Sequence, residues 1–484
     1  MKLDPNSIIY NSLERFFAIF IFFAVTAFFD GGGLLASILF TIIPLAIFFG
    51  FISFWQYLYW RKFEYFFEDE SLKIKSGIIS TRNREVPLKR VQNIDVRENI
   101  LQRSLDLAEV RFETAGGGTS EAVLKCVSKG DVEKLKNKVR EIKGEKTIKE
   151  ENEEEKEPIY KIDRKELAVL SLTSFSIVSA VAIFFTLVFG ISGFVFQGDL
   201  DIDFERGWLV IATPLLIFIS LLASWIINGL RNFFKYYGFE LYLQNDSLEY
   251  NTGLLRRYSG KIPLDKLQSA TIEENLFRRF LDYASLNMET AGYSASQKQD
   301  RGSEMTVPIA PRNKVYTVLE QVEQISEKQL NNIPSRARKR YFIRYTLLLT
   351  LIITTGYIAA DLPQTTLATI PILTIIAYIG ARKKHENIGY QVLNEEKYFV
   401  VMNGFWNRRT RYVPFYRIQN IIKTQTVLQR RWKLASLTAD TAGSFISMRG
   451  FVVATDMDQE EAEKSGQDLF QGLQKALKEK RQQK

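Results

Sequence analysis

The stretch Asp440-Thr441-Ala442-Gly443 is a natural place in this chain to look for chemistry. Paired Asp-Thr-Gly motifs place two carboxylates together, so that they share one proton and activate water. Here an Ala separates Thr from Gly, and the two other Thr-Ala-Gly triplets, at 114–116 and 290–292, follow Glu113 and Glu289. Each triplet ends an alternating, strand-like run. A strand-to-turn corner with Gly at positive φ is therefore the expected role, and not a catalytic dyad.

Other nucleophile chemistry is equally short of parts. The chain holds one Cys (Cys126) and one His (His385), which excludes an internal disulfide and a His/Cys metal cluster. Cys126 sits in the alternating run 121–127 and reads as a small buried thiol; His385 follows an apolar run and reads as a solvated residue beside a membrane. A triad would have to be assembled around that single His, and nothing near it supports one. The stretch 116–120, Gly-Gly-Gly-Thr-Ser, lacks the Gly-Lys-Ser/Thr ending of a phosphate-binding loop and reads as a hairpin tip. No catalytic residue, cofactor or metal is expected.

The elements around these residues are of two kinds. Mean hydropathy is near zero, but it averages long uncharged runs with strongly polar ones. The uncharged runs come in pairs: 16–29 with 34–60, 167–196 with 208–230, and 345–360 with 365–381. Several reach the roughly 20 residues that a helix needs to cross hydrocarbon. The expected layout is six transmembrane helices in three hairpins. Arg61, Lys62, Lys161, Arg164, Lys165, Arg231, Lys235, the basic run 336–344 and the run 381–384 all flank one side. The opposite loops carry Asp30, Asp199, Asp201, Asp203, Glu205 and Asp361, with Arg206 the one basic residue among them. The positive-inside rule then puts both termini and every large polar segment in the cytoplasm of a multi-pass plasma-membrane protein.

After each hairpin comes a polar segment of constant internal order. Strand-like runs end on Gly77, Gly253 and Gly404, each nine residues before a recurring piece, and a turn needing positive φ is expected at each. The piece spans 86–116, 262–292 and 413–443 and aligns without gaps. Identical in all copies are Pro87/Pro263/Pro414, Gln92/Gln268/Gln419, Arg103/Arg279/Arg430, Ala108/Ala284/Ala435 and the triplets that end on Gly116, Gly292 and Gly443. Such tandem self-similarity marks an architectural repeat. Each copy reads as strand, short helix and strand, with Pro at the start or edge of a strand, and an amphipathic helix follows.

This order, with the preceding apolar pair and the Val-Pro-Leu-x-Arg-Val-Gln-Asn-Ile and Thr-Ala-Gly features, resembles the bacterial PH-like membrane-flanked domain family. The three-copy layout is similar to that of its YdbT-type members. The resemblance implies an α+β membrane protein in which each of three hairpins is followed by a cytoplasmic PH-like β-barrel domain with a C-terminal helix. Hairpins are expected at 12–60, 166–231 and 342–382, and PH-like domains at 61–143, 232–328 and 383–484, the last including the tail. A charged linker covers 144–165 and a basic linker 329–341. The resemblance also implies a role at the cell envelope, in resistance to membrane-active agents.

The repeated Arg and Gln are expected to serve structure, satisfying backbone carbonyls at the corner after the short helix. A guanidinium gripping a lipid phosphate is the competing role. Arg256, Arg257, Arg408, Arg409 and Arg411 lie in basic, aromatic-flanked stretches and are candidate contacts to anionic head groups. The net charge of +9 is largely juxtamembrane, so nucleic acid is not an expected partner. The expected partners are the bilayer and either a related membrane-flanked-domain protein or another copy. Two functions fit: a non-enzymatic scaffold or interaction module, and a six-helix transporter or channel. Transporters keep ionisable residues at membrane depth. These runs hold little beyond Ser, Thr and Gly among apolar residues, which favours the scaffold.

Overall fold

The computed structural model describes residues 1–29, 34–114, 122–143, 157–196, 206–244, 246–290, 305–359, 369–441 and 452–482. The first repeat comprises α1 (Asn6–Phe29), α2 (Leu34–Lys62), β1 (Glu64–Glu68), β2 (Ser71–Ser76), β3 (Arg82–Pro87) and β4 (Val91–Asn99). It continues with α3 (Ile100–Ser104), β5 (Leu107–Thr114), β6 (Ala122–Ser128) and α4 (Lys129–Lys143). The second begins with β7 (Tyr160–Lys161), α5 (Arg164–Leu172), α6 (Ile177–Phe196), α7 (Arg206–Tyr236), β8 (Glu240–Gln244), β9 (Ser247–Thr252) and β10 (Arg256–Pro263). Then come β11 (Leu267–Asn275), α8 (Leu276–Phe280), β12 (Tyr283–Thr290), β13 (Met305–Pro311) and α9 (Arg312–Glu323). The third opens with β14 (Asn331–Asn332), α10 (Ala337–Ala359), α11 (Ile370–Glu386), β15 (Gly389–Leu393), β16 (Tyr398–Asn403) and β17 (Asn407–Pro414). It closes with β18 (Ile418–Thr424), α12 (Val427–Arg431), β19 (Leu434–Thr441), β20 (Val452–Asp458) and α13 (Gln459–Gln482).

The backbone gathers into two compact units. One holds Met1–Pro158 with Gly238–Ile262, and the other Ile159–Tyr237 with Pro263–Lys484. In the first unit, β1, β2 and β3 form an antiparallel sheet in that order. The two residues between β1 and β2, Asp69 and Glu70, have φ of 49° and 60°. That is the left-handed geometry of a tight hairpin turn, where the sequence's acidic corner is expected to punctuate the strands. A second sheet runs β6-β5-β4-β10-β9-β8, so strands from the second repeat extend the sheet of the first. Phe63, just before β1, and Tyr65, Leu72, Ile74 and Val86 from the first three strands share one core with Val110, Phe112 and Leu124. Val132, Leu135 and Val139 of α4 close it, at the three- and four-residue spacing of a helix face.

The second unit repeats this arrangement. Its larger sheet runs β13-β12-β11-β17-β16-β15-β14, and a three-stranded sheet runs β18-β19-β20. Phe399, Val401, Val413 and Phe415 share a core with Leu434, Leu437, Ala439 and Ala454. The helix α13 contributes Ala462, Leu469 and Ala476 to it, every seventh residue.

Gly77, Gly253 and Gly404 have φ of +114°, +104° and +123°, as the sequence leads one to expect. A Cβ at these positions would lie 2.0, 1.9 and 1.9 Å from the carbonyl oxygens of Ser80, Arg256 and Asn407. The three Pro differ slightly from expectation. They end β3, β10 and β17 and lead into 3-10 turns at Leu88–Arg90, Leu264–Lys266 and Phe415–Arg417. A residue without an N–H, with φ fixed near −65°, suits a ladder's end as well as its start.

Consecutive helices pack together as α1 with α2, α6 with α7 and α10 with α11. Among the described residues, Ile43–Lys62 and Ala212–Tyr236 are helical, long and apolar enough to cross a membrane. Arg164–Leu172 with Ile177–Val188 makes a further candidate, broken by a 54° bend. Ser and Thr hydroxyls bond to carbonyls one turn back at this break: Ser171 to Leu167 at 2.9 Å, and Thr173 to Val169 at 2.7 Å. Helices bend where such side chains enter the backbone ladder.

Candidate functional site

The recurring piece supplies three devices. The first is the short helix, whose start is fixed by a side-chain cap. The Asn99 side chain accepts from the Gln102 amide at 2.7 Å, and Gln102 returns the bond to the Asn99 N–H at 3.0 Å. Thr426 and Gln429 form the same reciprocal box, while Asn275 caps Arg278 without the return bond. A cap of this kind is worth about 1 kcal/mol. The helix ends at Asp106, Asp282 and Lys433, all left-handed with φ of 56°, 59° and 50°. The sequence gives little sign of this corner, because Lys carries no turn signal.

The second device anchors each short helix to the base of the preceding long helix. In the first repeat, Asn99 Nδ2 donates to the Tyr10 hydroxyl on α1 at 2.7 Å. In the second, Asn275 Nδ2 donates to the carbonyl of Thr173, at the end of α5, at 2.9 Å. Arg278 Nε reaches the Thr173 hydroxyl at 3.1 Å, and burial lowers the pKa of that guanidinium. In the third, Gln429 Nε2 donates to Asp456 Oδ1 at 2.7 Å, and Asp456 also receives Arg340 and Tyr341 from α10. The cap position makes this contact in the first two repeats, and in the third it passes to Gln429, three residues on, which reaches α10 through Asp456. Sequence reasoning missed it, because the partner residues share no motif.

The third device is the junction between repeats. Strand β4 pairs with β10, with Asn99 opposite Arg256 and Glu98 opposite Arg257. Strand β11 pairs with β17, with Asn275 opposite Asn407 and Glu274 opposite Arg408. After allowance for the repeat offsets, these two registers are the same. Across the second junction Arg408 meets Glu274 at 2.6 Å and Arg409 meets Glu273 at 2.8 Å. In the first, Arg97 and Arg256 lie 5.4 and 5.5 Å from the centre of the Tyr258 ring. Burial lowers the Arg97 pKa. The repeated Arg also reaches across: Arg103 donates to the Leu254 carbonyl at 2.9 Å, and Arg279 to Asn387 Oδ1 at 3.0 Å. Arg430 is exposed and makes no side-chain hydrogen bond among the described residues.

The remaining candidates are placed as follows. Gln268 is buried and donates to the Lys266 carbonyl at 3.3 Å, whereas Gln419 is exposed. Gly116, Gly292 and Gly443, with the hairpin tip at 116–120, lie outside the described residues, as does the side chain of Gln92. Of the five basic candidates for head-group contact, Arg256 and Arg257 are exposed, Arg408 and Arg409 are engaged in the junction ion pairs, and Arg411 is buried. Asp440 is buried on β19 and accepts from Asn420 Nδ2 at 3.3 Å. Cys126 is buried on β6, and burial pushes its thiol up to about 12. His385 is half-buried and not solvated as the sequence suggests: its Nε2 lies 3.2 Å from the Pro334 carbonyl. Among the described residues no group of three or more His, Cys, Asp or Glu is placed to hold a metal ion.

The same three-part division appears in comparison with known proteins. The family model for the bacterial PH domain matches residues 19–143, 168–325 and 342–480, each match taking in long helices, strands and a closing helix. The chain belongs to the bacterial PH domain family. It is also 25% identical over 412 residues to the UPF0699 transmembrane protein YdbT of Bacillus subtilis (strain 168), covering 80% of each chain. No solved structure gives a significant match. Of the residues identical in the three copies, the Pro lead into the 3-10 turns, and Arg103 and Arg279 reach across the junctions.

Proposed function

We propose that the protein is a non-enzymatic integral membrane scaffold of the bacterial cell envelope. Its PH-like domains face the cytoplasm and mediate assembly and lipid or protein contact. The observation that carries this reading is the junction: Asn99 opposite Arg256 and Asn275 opposite Asn407 join successive repeats by continuous backbone pairing in one register. Sheet extension makes each junction a rigid joint, since ladder hydrogen bonds resist the sliding that side-chain contacts allow. Six membrane helices in three hairpins, with the basic flanks inside, hold the domains at the inner leaflet. Arg256 and Arg257 are free of the junction ion pairs and suit anionic head groups, each at about 1 kcal/mol. With the scaffold reading goes the proposal of a role in resistance to membrane-active agents, which the family resemblance suggests.

A transporter is the second reading, and one cluster favours it. Ser179 and Ser224 hydroxyls lie 2.7 Å apart, and Asn228 Nδ2 donates to Ser179 at 2.8 Å, between α6 and α7. Polar groups at membrane depth often line a path. These satisfy one another and the carbonyls of Ser176 and Ser224, which suits a latch across the break better. Reconstituted vesicles decide between the two readings. The scaffold reading expects no solute or ion flux above empty vesicles, with native proteins co-purifying. Flux abolished by Asn228→Leu would overturn it.

A further inference from the structure

Among the described residues two junctions are complete, and two strand edges that occupy junction positions have no partner strand. Strand β11 is sandwiched between β12 and β17, and its Ala270, Thr271 and Ile272 are 5%, 2% and 2% exposed. The equivalent strand of the third repeat, β18, is an edge, and Ile422, which stands where Thr271 does, is 44% exposed. At the chain's other end β3 is likewise an edge, with Arg82, Asn83, Arg84 and Glu85 exposed. Their counterparts Thr410, Arg411 and Tyr412 on β17 are buried. A flat edge carrying exposed apolar side chains invites another strand, and soluble folds normally protect it.

We propose that β18 of one molecule pairs with β3 of a second copy of this chain, continuing the sheet by the same register as the internal junctions. This rests on the scaffold reading and names its partner. Carrying the register over places Thr424 opposite Arg82, Lys423 opposite Asn83, Ile422 opposite Arg84 and Ile421 opposite Glu85. No like charges stand directly opposite one another, and Lys423 falls diagonal to Glu85 on one face, a favourable cross-strand position. The repeated Arg adds a contact patterned on the first junction, whereas Arg279 of the second goes to Asn387. Arg103 binds the carbonyl of Leu254, just after Gly253. The residue just after Gly77 is Ile78, so the exposed Arg430 is set to bind Ile78 of the second copy. The contact is head-to-tail, so it closes into a ring or grows as a filament, according to the rotation per step.

Cysteine cross-linking of the full chain in its membrane tests this, with Cys126→Ala as background. Residue pairs alternate between wide and narrow across an antiparallel ladder, so two double variants are needed: Arg84→Cys with Ile422→Cys, and Asn83→Cys with Lys423→Cys. Mild oxidation is expected to give disulfide-linked multimers in at least one. Mixing the two single variants of that pair should give dimers only. The out-of-register pair Asn83→Cys with Ile422→Cys should cross-link at least about tenfold less. Ile422→Lys, an exposed change that spares the fold, should shift the purified protein from oligomer to monomer by light scattering. A monomeric wild type, or in-register yields no higher than the shifted pair, would overturn the proposal. Self-linking of Arg84→Cys alone, or its capture of a different protein in place of this chain, would overturn it too. Vesicle flux would overturn the scaffold reading while leaving these yields unchanged, so the two failures are distinguishable.

Discussion

Glu274 and Arg408 face each other across the β11–β17 pairing, 2.6 Å apart, with side chains only 4% and 16% exposed. The two are 134 residues apart in sequence and belong to different repeats. Their contact is therefore a property of the junction and of neither domain alone. A desolvated pair of this kind adds little net stability, but removing one partner strands the other charge without water.

Arg408→Ala is accordingly expected to destabilise the second unit by about 3 kcal/mol in urea unfolding of the detergent-solubilised protein. Arg408→Leu combined with Glu274→Leu should recover most of that loss, because both charges go together. A double variant no better than the single one would mean that Glu274 is solvated and the pair is ornamental.

The three glycines before the recurring piece allow a paired comparison. Alanine at Gly253 would place its Cβ 1.9 Å from the Arg256 carbonyl oxygen at φ +104°, so both sterics and backbone conformation oppose it. Gly253→Ala should cost about 3 kcal/mol or more, and Gly77→Ala and Gly404→Ala a similar amount. Gly130→Ala on α4 meets nothing within 4 Å and should stabilise by about 0.5 kcal/mol. Thermal unfolding of the four variants checks the ordering.

These glycines were legible in the sequence because a turn is local: a Gly between two strand-like runs is information enough. The closing helices announce themselves by spacing, whereas the caps at Asn99 and Thr426, although local, are seen only once the short helix has a defined start. The junction was not legible. Alternation tells which face of β11 is buried but not that its edge is paired, nor that β17, more than a hundred residues on, does the pairing. Arg408 and Arg409 therefore look like head-group ligands in the sequence and stand opposite glutamates in the fold. Asp456 was invisible for the same reason. An acid in an alternating strand reads as surface, yet it is 1% exposed because α10 covers it.

Cys126 makes a pH prediction whose sign is fixed by burial. Its thiol titrates at about 12 in the fold, against an ordinary 9.0. Between those values the unfolded chain loses its proton and the folded chain keeps it, so unfolding is favoured as pH rises. The contribution of this group is full below about pH 8.5 and is lost progressively towards pH 12. Cys126→Ala should flatten that part of the stability profile. The thiol should also resist maleimide at pH 8 until denaturant is added, since reaction needs the thiolate. Prompt labelling of the native protein would contradict the burial.

Asp456 ties the third recurring piece to the start of α10, receiving Arg340, Tyr341 and Gln429 while buried in left-handed backbone at φ 58°. The backbone conformation makes Asp456→Asn the informative variant, because Asn tolerates that region nearly as well as Asp. Replacing carboxylate by amide keeps size and φ but turns one acceptor into a donor facing donors. It should therefore cost about 2 kcal/mol, while Asp456→Ala costs more by leaving Arg340 unpaired as well. The loss should be local to the third repeat. Limited proteolysis is expected to open the segment around α12 and β20 in both variants, with the β1–β6 segment unchanged. Uniform opening along the chain would place Asp456 in general stability and not in the anchoring of α10.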